Sequence, residues 1–449
     1  MSGQALTVVV GLGKTGMSCV RYCVERNIPV AVTDSRENPP GVGELRACYP
    51  RMVIKLGGFD TTLLAAASRI IISPGVSLKE PNLQPAIAKG IPIVGDVEIF
   101  CREVKAPIIA ITGSNGKSTV TTMVGEMARK SGVRVKVGGN IGVPVLDLLD
   151  RAEPELYVLE LSSFQLESTP SLAALASVNL NLSPDHMDRY ATLRDYQEAK
   201  LQVYHQCGTA VINLDDPMSY GESLPAKDCL RFSVADDAKE RGADFYLIHR
   251  FGDTLLAFQD QPLMAISELP FVGRHQMANA LSALALGTAA GLSMDAMIAA
   301  LKTFKGLPHR CQFVAEHGGV RWYNDSKATN VGATTAALAG VAADCKGDVI
   351  LLAGGQGKDA DFSPLRSVVA DHVSKVILFG EDRFKLYDVL QDVVAVTLTS
   401  NLAEAVEEAH SVAQKGDMVI LSPACASFDM FKNFEDRGNQ FMSLVKAIS

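Results

Sequence analysis

The chain has 449 residues, of which 47% are hydrophobic and 20% charged, and its formal net charge at pH 7 is -8. This length predicts two to three domains, and the acidic balance without a Lys/Arg block argues against a nucleic-acid-binding surface. The nine scattered cysteines form no zinc or disulfide pattern, and no apolar run is long enough to span a bilayer, so we expect a cytoplasmic protein with reduced thiols and no leader.

Apolar strand-like runs alternate with helical patterns from end to end, which predicts the α/β class with mostly parallel sheets. Breaks in the pattern near residues 92–95 and 304–308 predict three domains, at residues 1–94, 95–306 and 307–449. Helices are expected up to residue 26, over 120–130 and over 279–290. Strands are predicted over residues 7–10, 29–33, 69–73, 107–111, 156–161, 176–182, 210–213, 348–353, 375–379 and 417–421.

The first glycine-rich loop, residues 11–16, has the spacing G-x-G-x-x-G after a strand, and Asp34 ends the next strand. This is the dinucleotide-binding fingerprint, but alone it is a weak signal. The same loop could hold any diphosphate, including that of a nucleotide sugar, or could be a plain turn. Lys14 and Thr15 add a cation and a hydroxyl, which favour an anionic ligand.

The second glycine-rich loop, in the run AITGSNGKST over residues 110–119, is the most informative motif. Backbone N–H groups and the dipole of the following helix suit a phosphate at such a strand–turn–helix junction. Lys117 can reach the β- and γ-phosphates, and the Ser118 hydroxyl can bind Mg²⁺. The run departs from the usual pattern, because Ile111 occupies the position of the first glycine.

Polar side chains follow two further strands of the middle region. Glu160 ends one strand and is placed to bind Mg²⁺, although a solvated strand end or a helix cap would explain it equally. His186 lies between Asp185 and Asp188 after the next strand, where the ligand crevice of an open sheet is found. A structural histidine is the alternative there.

For two other residues of the middle region, the sequence spacing does not indicate a functional role. Asn140 follows two glycines and could be a turn residue or an amide contact to a substrate. Lys200 lies in a plain helical pattern and by spacing alone would be a solvated surface lysine.

The last third of the chain carries three cation- or hydroxyl-bearing loops after strands. Arg310 and Lys327 could clamp phosphate charge across a cleft, and Asp325 lies beside them. Lys358 occupies another glycine-rich turn, and the sequence SPACASFD follows the last strand. Ligands of open α/β sheets bind at such strand ends.

Together these motifs resemble the Mur ligase family, ATP-dependent amide-forming enzymes of peptidoglycan precursor synthesis, over the whole chain. The opening loop VGLGKTG, the run SPACASFD and the segment FEDRG at 434–438 carry the resemblance to the D-glutamate-adding branch. The chain also lacks the Asp-Asn-Pro-Arg signature of the branch that adds a diamino acid. The resemblance implies a Rossmann-like N-terminal domain, a central P-loop ATP-binding domain and a Rossmann-like C-terminal domain.

The implied reaction joins D-glutamate to UDP-N-acetylmuramoyl-L-alanine through an acyl phosphate, in a monomer that uses ATP and two Mg²⁺ ions. Lys117, His186, Lys200 and Lys327 would be catalytic. The metal ligands would be Ser118, Glu160, His186 and a carbamate formed from CO₂ on Lys200.

The resemblance assigns the remaining ligands by position. ATP would contact Gly113, Ser114, Asn115, Gly116, Lys117, Ser118, Thr119, Asn279, Arg310 and Asp325. The UDP-muramoyl-alanine substrate would contact Gly13, Thr15, Asp34, Ser35, Arg36, Gly75, Asn140, Ser162, Gln165 and His186. D-Glutamate would contact Thr329, Lys358, Ser427 and Phe434.

Three other functions are compatible with parts of the sequence. A dehydrogenase would use the first loop for NAD but would leave the run GKST at 116–119 unexplained. A folylpolyglutamate-synthetase-like ligase would share the phosphate loop and glutamyl transfer but would not need the first loop. A non-catalytic nucleotide-binding protein would bind ATP without turnover.

Overall fold

The computed structural model describes residues 5–149, 152–187, 189–221, 227–250, 252–270, 273–342, 345 and 347–448. Asp188, which the sequence places in a polar cluster with His186, lies outside these residues. The described residues form three sheets with helices packed on them, so the predicted α/β class is confirmed. No helix in the described ranges is both long and apolar enough to cross a membrane.

The N-terminal sheet has five parallel strands in the order β3-β2-β1-β4-β5. Its short strands are mostly apolar and buried, as is typical of parallel strands covered on both faces, with Thr7, Thr33 and Asp34 as buried polar exceptions. The elements are β1 (Thr7–Val10), α1 (Lys14–Glu25), β2 (Val30–Asp34), α2 (Val42–Cys48), β3 (Ile54–Leu56), α3 (Thr61–Ala65), β4 (Arg69–Ile72), α4 (Gln84–Ala88) and β5 (Ile93–Gly95). A linking helix, α5 (Asp96–Glu103), follows directly.

The central sheet has nine strands in the order β14-β13-β12-β11-β10-β9-β6-β8-β7. Strands β12 to β14 form an antiparallel meander that the sequence analysis did not predict. The strands are β6 (Ile108–Thr112), β7 (Val135–Gly139), β8 (Leu156–Glu160), β9 (Ala176–Asn179), β10 (Thr209–Asn213), β11 (Asp228–Phe232), β12 (Phe245–Arg250), β13 (Asp253–Phe258) and β14 (Gln261–Ala265). The helices are α6 (Lys117–Lys130), α7 (Ser163–Leu166), α8 (Leu193–Leu201), α9 (Arg274–Ala289) and α10 (Met294–Thr303).

The C-terminal sheet has six strands in the order β15-β16-β20-β17-β18-β19, parallel except for the β15–β16 hairpin. The strands are β15 (Gln312–His317), β16 (Val320–Asn324), β17 (Val349–Gly354), β18 (Val373–Phe379), β19 (Ala395–Leu398) and β20 (Met418–Leu421). The helices are α11 (Val331–Ala342), α12 (Leu365–His372), α13 (Arg383–Leu390), α14 (Leu402–Val412) and α15 (Phe434–Lys446).

The three sheets are joined in two different ways. The N-terminal and central sheets share one apolar core, in which Val9 and Ile71 belong to the same cluster as Phe100 and Leu159. The C-terminal sheet has apolar clusters of its own. We therefore expect the first two sheets to move as one body and the third to be the mobile part.

The first glycine loop is closely packed at Gly16. A Cβ added to Gly16 would lie 2.0 Å from the carbonyl oxygen of Gly11, while a Cβ on Gly43, exposed in α2, would meet no atom within 4 Å. Gly16→Ala should therefore lower the free energy of unfolding by about 3 kcal/mol, the upper end for an over-packed site. Thermal unfolding followed by near-UV circular dichroism measures this.

Gly43→Ala is the matched control, and it should leave the Tm unchanged or slightly raised, because Ala favours a helix over Gly by about 0.5–1 kcal/mol. Equal Tm values for the two variants would contradict the packing at Gly16.

Candidate functional site

The carboxyl ends of the parallel strands in all three sheets face a common space, which contains three connected cavities. The first, here the large cavity, has a volume of about 1030 Å³ and is walled by all three domains. Among the predicted site residues it is lined by Gly13, Thr15, Asp34, Ser35, Arg36, Gly75, Ser118, Asn140, Glu160, Gln165, Arg310, Lys327 and Phe434.

Two smaller cavities lie on either side of the second glycine loop. The loop cavity, about 240 Å³, is lined by Ser114, Asn115, Gly116, Lys117, Ser118, Asn140, Glu160, Ser162, His186, Lys200, Arg310, Lys327, Thr329 and Lys358. The side cavity, about 330 Å³, is lined by Asn115, Gly116, Thr119, Asn279, Arg310, Asp325 and Lys327. The structure thus brings most of the predicted residues together.

The second glycine loop connects β6 to α6 and has the form of an anion cradle. Gly116 has a φ of 83°, and a Cβ there would lie 2.5 Å from Asn279 Oδ1, so only glycine fits. Helix α6 begins at Lys117, three residues before the helix predicted at residue 120. Ser118 and Thr119 therefore lie in the first helical turn, where free N–H groups and the helix dipole attract an anion.

Two residues that sequence patterns do not single out, Asn181 and Ser183, hold this loop. Asn181 Oδ1 accepts a hydrogen bond from Asn115 N at 2.8 Å, and its amide donates to Asn115 O at 3.1 Å. Ser114 Oγ accepts from Ser183 N at 3.0 Å. Both partners follow β9, so the signal in the sequence was the polar run after that strand.

Lys117 and Lys200 meet at the same backbone carbonyl. Lys117 Nζ donates to Gly113 O at 2.7 Å, and Lys200 Nζ donates to the same oxygen at 2.8 Å. Lys200 is 1% exposed, so the surface position that its spacing suggests is wrong. Burial, and secondly the charge of Lys117, holds the pKa of Lys200 well below its usual value, and burial also lowers the pKa of Lys117.

The Lys200 ammonium also lies over an aromatic ring, that of Tyr196, with Nζ 4.7 Å from the ring centroid. The Tyr196 hydroxyl is 3.3 Å from Ser114 Oγ. Sequence reasoning missed Tyr196, which lies one helical turn before Lys200 on the same face of α8.

Glu160 ends β8 and is 2% exposed, which excludes the solvated strand end. Its Oε1 accepts a hydrogen bond from the Asn140 amide at 2.7 Å. Its Oε2 is buried and has no hydrogen-bond partner among the described residues. A buried carboxylate oxygen without a partner beside a phosphate loop fits a divalent cation such as Mg²⁺.

His186 adopts a φ of 57° and its Nε2 lies 3.7 Å from Asp185 Oδ2. Its ring packs edge-on against Phe164 at 4.8 Å between centroids. Within the described residues, no group of three or more His, Cys, Asp or Glu side chains could hold a metal ion by itself. A cation here would need further oxygen ligands, from Ser118, a phosphate, water or a modified lysine.

The C-terminal domain contributes cations to the same space. Arg310 donates to Ser118 Oγ at 3.0 Å, so the C-terminal domain touches the phosphate loop directly. Lys327 Nζ lies 3.8 Å from the centroid of the Phe434 ring, and burial, then the Arg310 charge, lowers the pKa of Lys327 to about 8. Asp325 accepts a hydrogen bond from Cys311 N at 3.1 Å, and burial raises its pKa to about 6.

The four residues predicted to hold D-glutamate do not all line the same cavity. Thr329 and Lys358 line the loop cavity. Phe434 lines the large cavity, where it covers Lys327. Ser427 is 2% exposed and lines none of the three cavities.

The first glycine loop lies at the far end of the large cavity. Asp34 is buried, and its oxygens accept from Leu12 N at 2.7 Å and from the Arg36 side chain at 2.8 and 2.9 Å. Burial alone would raise the pKa of Asp34, but these hydrogen bonds outweigh it, so the pKa lies below its usual value. Asp34 thus orients the half-exposed Arg36 guanidinium at the rim of the cavity.

The fold and the phosphate loop define the class, a three-domain α/β protein with a P-loop in its middle domain. Three family models match in chain order. They are the Mur ligase MurD-like N-terminal domain over residues 5–95, the Mur ligase middle domain over residues 111–287, and the Mur ligase glutamate ligase domain over residues 309–425.

Curated relatives match the chain over its full length. A UDP-N-acetylmuramoylalanine--D-glutamate ligase from Nitrosococcus oceani is 50% identical over 444 residues, covering 99% of this chain and 97% of the relative. The protein of the same name from Coxiella burnetii is 49% identical over 448 residues, covering 100% of both. This chain belongs to the Mur ligase family, and the resemblance read from its motifs is confirmed.

Solved structures share the fold at low identity. A UDP-N-acetylmuramate-alanine ligase from Thermotoga maritima has a TM-score of 0.63 at 18% identity, covering 99% of each chain. A MurF ligase from the same organism, solved with ADP, has a TM-score of 0.60 at 16% identity, covering 100% of this chain and 97% of its own. At these identities the likeness concerns the fold alone.

The position of Lys117 predicts its effect on nucleotide binding. Lys117→Ala should raise the Kd for ATP roughly 30- to 150-fold, because a charge-assisted contact to phosphate contributes about 2–3 kcal/mol. Lys130→Ala, an exposed lysine at the other end of α6, is the control and should bind ATP as the wild type does. Calorimetric titration measures both, and similar Kd values for the two variants would contradict the cradle.

Proposed function

We propose that this protein is an ATP-dependent ligase that joins the carboxyl group of UDP-N-acetylmuramoyl-L-alanine to the amine of D-glutamate. One observation carries the proposal. The large cavity and the loop cavity share Ser118, Asn140, Glu160, Arg310 and Lys327. A substrate carboxylate at the inner end of the large cavity would therefore meet the terminal phosphate of ATP on the second glycine loop. The names and full-length coverage of the curated relatives support the same reaction.

The proposed first step transfers a phosphoryl group. A carboxylate oxygen of the alanyl end attacks the γ-phosphorus of ATP, the bond to the bridging oxygen breaks, and ADP leaves. The product is an acyl phosphate. Since carboxylate and triphosphate repel each other, the site must neutralise charge, and Lys117, Arg310 and Lys327 supply cations around the shared region.

The proposed second step forms the amide. The D-glutamate amine, as the free base, attacks the acyl carbon to give a tetrahedral intermediate, which collapses by expelling inorganic phosphate. The proton lost from nitrogen passes to solvent or to a nearby base. Arg310 and Asn330 join the C-terminal domain to Ser118 and Asp185 of the central domain, at 3.0 and 3.1 Å, and such closure would keep water from the acyl phosphate.

Magnesium fits the unpartnered Glu160 Oε2, with Ser118 Oγ beside the phosphate loop and His186 in the same cavity. When bound, Mg²⁺ would neutralise phosphate oxygens and polarise the transferring group. Two ions are proposed, one near Ser118 and Glu160 and one near His186.

Lys200 is the proposed site of a carbamate. Its lowered pKa favours the neutral amine, which is the form that reacts with CO₂. The product is an anion, so it would replace repulsion between Lys200 and Lys117 by attraction and would add the oxygen ligand that the metal site needs.

We also propose a monomeric cytoplasmic enzyme with domains at residues 1–94, 95–306 and 307–449.

The proposed function is tested by phosphate release in the presence of ATP and Mg²⁺. Release that requires both UDP-N-acetylmuramoyl-L-alanine and D-glutamate supports the reaction. Release without D-glutamate at the same rate, or no release with all substrates, would contradict it.

If Lys200 carries a carbamate, a small carboxylic acid should partly restore the activity of a variant that lacks this lysine. Lys200→Ala should lose almost all activity, and millimolar formate or acetate should restore part of it by supplying the missing carboxylate oxygens. Lys117→Ala should be equally inactive but not restored, because it lacks a cation rather than an anion. Steady-state kinetics with and without the acid measure this, and an active Lys200→Ala variant would refute the carbamate.

Lys358 predicts selectivity for the side-chain carboxylate of D-glutamate. Lys358→Ala should raise the KM for D-glutamate about tenfold or more, since a charge-assisted pair contributes about 1.5–3 kcal/mol, and should leave the KM for ATP nearly unchanged. Lys446→Ala, exposed at the end of α15, is the control. An equal rise in both KM values would argue against this role.

A further inference from the structure

The loop that follows β4, residues 73–75 and here the β4 loop, is held from two sides. Ser73 Oγ donates a hydrogen bond to Gly11 O at 2.9 Å, which ties the β4 loop to the first glycine loop. From the other side, Arg189 of the central domain donates to Pro74 O at 3.2 Å. All three residues of the β4 loop line the large cavity, and the last of them is a predicted contact of the muramoyl substrate. The position of this wall therefore depends in part on a side chain of another domain.

The guanidinium of Arg189 is held at three points. The side chain is 14% exposed, and its Nη2 donates to Glu167 Oε2 at 2.7 Å while its Nη1 makes the bond to Pro74 O. The guanidinium carbon lies 4.3 Å from the centroid of the Phe164 ring. Because a guanidinium is planar and its N–H groups have fixed directions, these three contacts together set its position.

The same arginine adjoins His186 in two ways. The backbone N–H of Arg189 donates to His186 O at 2.9 Å. The Phe164 ring, on which the guanidinium lies, packs edge-on against the His186 ring with 4.8 Å between centroids. Phe164 and His186 line the loop cavity, whereas the β4 loop lines the large cavity. Arg189 therefore joins the walls of both cavities, and it is not among the described residues that line either of them.

An ordinary surface ion pair does not account for this arrangement. Arg194 and Glu198 form such a pair on α8, with side chains 83% and 61% exposed. The side chains of Arg189 and Glu167 are 14% and 24% exposed, and Arg189 donates in addition to Pro74 O of another domain. An exposed pair contributes little to stability, whereas removal of Arg189 would take a charged donor from two partly buried acceptors.

We propose that Arg189 is a positioning residue that fixes the β4 loop relative to the rings of Phe164 and His186. It keeps the wall that receives the uridine diphosphate in register with the wall beside the second glycine loop. A substrate bound at its uridine end reacts at its carboxyl end only if both ends are correctly placed. This role rests on the proposed function.

The first test is direct binding and turnover in the full chain. Arg189→Ala should raise the Kd for UDP-N-acetylmuramoyl-L-alanine about tenfold, the effect of losing a hydrogen bond that orders the β4 loop, and should lower kcat. The Kd for ATP should not change, because the second glycine loop makes none of the contacts of Arg189 described above. Calorimetric titration of each ligand and steady-state kinetics measure these values.

A spectroscopic readout separates this role from general destabilisation. In protein labelled with ¹⁵N-histidine, the ring signals of His186, one of eight histidines, should shift in Arg189→Ala because the Phe164 ring beside it loses the guanidinium that holds it. The signals that disappear in His186→Gln assign this residue. Unshifted His186 signals in folded Arg189→Ala would contradict the link between Arg189 and His186.

Arg194→Ala is the matched control, an arginine that loses only an exposed ion pair. It should leave both Kd values, kcat and the His186 signals unchanged. Arg189→Lys keeps the charge but lacks the planar fork, so it should fold as the wild type does and still bind the UDP substrate severalfold more weakly.

An unchanged Kd for the UDP substrate in both Arg189 variants, or an equal rise in the Kd for ATP, would overturn the positioning role. Substrate binding by the wild type without any turnover would instead contradict the proposed function, while the comparison of Kd values would still decide the role of Arg189.

Discussion

Two lysine side chains, the buried Lys200 and the partly buried Lys117, donate to a single carbonyl oxygen, Gly113 O, and the candidate site is organised around that constraint. Like charges a few ångströms apart in a buried site repel strongly, so this arrangement is unfavourable unless anions are added or one proton is lost. ATP phosphates would compensate Lys117, and a carbamate would convert Lys200 from a repelling cation into a partner. The loop therefore concentrates positive charge, and the proposed ligands would supply the negative charge that neutralises it.

The three sheets are joined by two kinds of contact, apolar between the first two and polar between the central and C-terminal sheets. The N-terminal and central sheets share one core through α5, so we expect the walls that these two sheets give to the large cavity to keep their relative positions. The C-terminal sheet reaches the phosphate loop through polar contacts such as Arg310 to Ser118. Polar contacts exchange readily with water, which suits a domain that must open for substrates and close over a reactive acyl phosphate.

The parts of the fold that depend on local sequence patterns could be predicted from the sequence alone. Apolar runs located ten of the parallel strands to within about three residues but missed β3, β5, β7, β11 and β19. The two glycine loops were recognisable because phosphate binding needs a strand, a tight turn and a helix start. Helix α6 was placed three residues late, since Lys117 to Thr119 are ligand-binding residues that also form its first turn. The meander β12–β14 was missed, and its turn between β13 and β14 is made by Gln259 and Asp260, which adopt positive φ without the glycine that marks such turns.

Long-range features could not be predicted in this way. Lys200 has the spacing of a surface lysine, but the fold places it at the end of β6, where its Nζ donates to Thr112 Oγ1 and Gly113 O beside Lys117. The contact of Tyr196 with Ser114 likewise depends on elements far apart in the sequence. The family resemblance implies a role for Lys200 that its spacing does not indicate. That role stays a prediction, as do the roles of Ser427 and Phe434 in holding D-glutamate.

If the substrate carboxylate attacks ATP, one of its oxygen atoms must leave with the phosphate. UDP-N-acetylmuramoyl-L-alanine labelled with ¹⁸O in its carboxyl group should be turned over with ATP and D-glutamate, and the released phosphate analysed by mass spectrometry. Each released phosphate should carry one ¹⁸O atom, because the acyl phosphate breaks at the acyl carbon. Phosphate without ¹⁸O would contradict attack by the carboxylate.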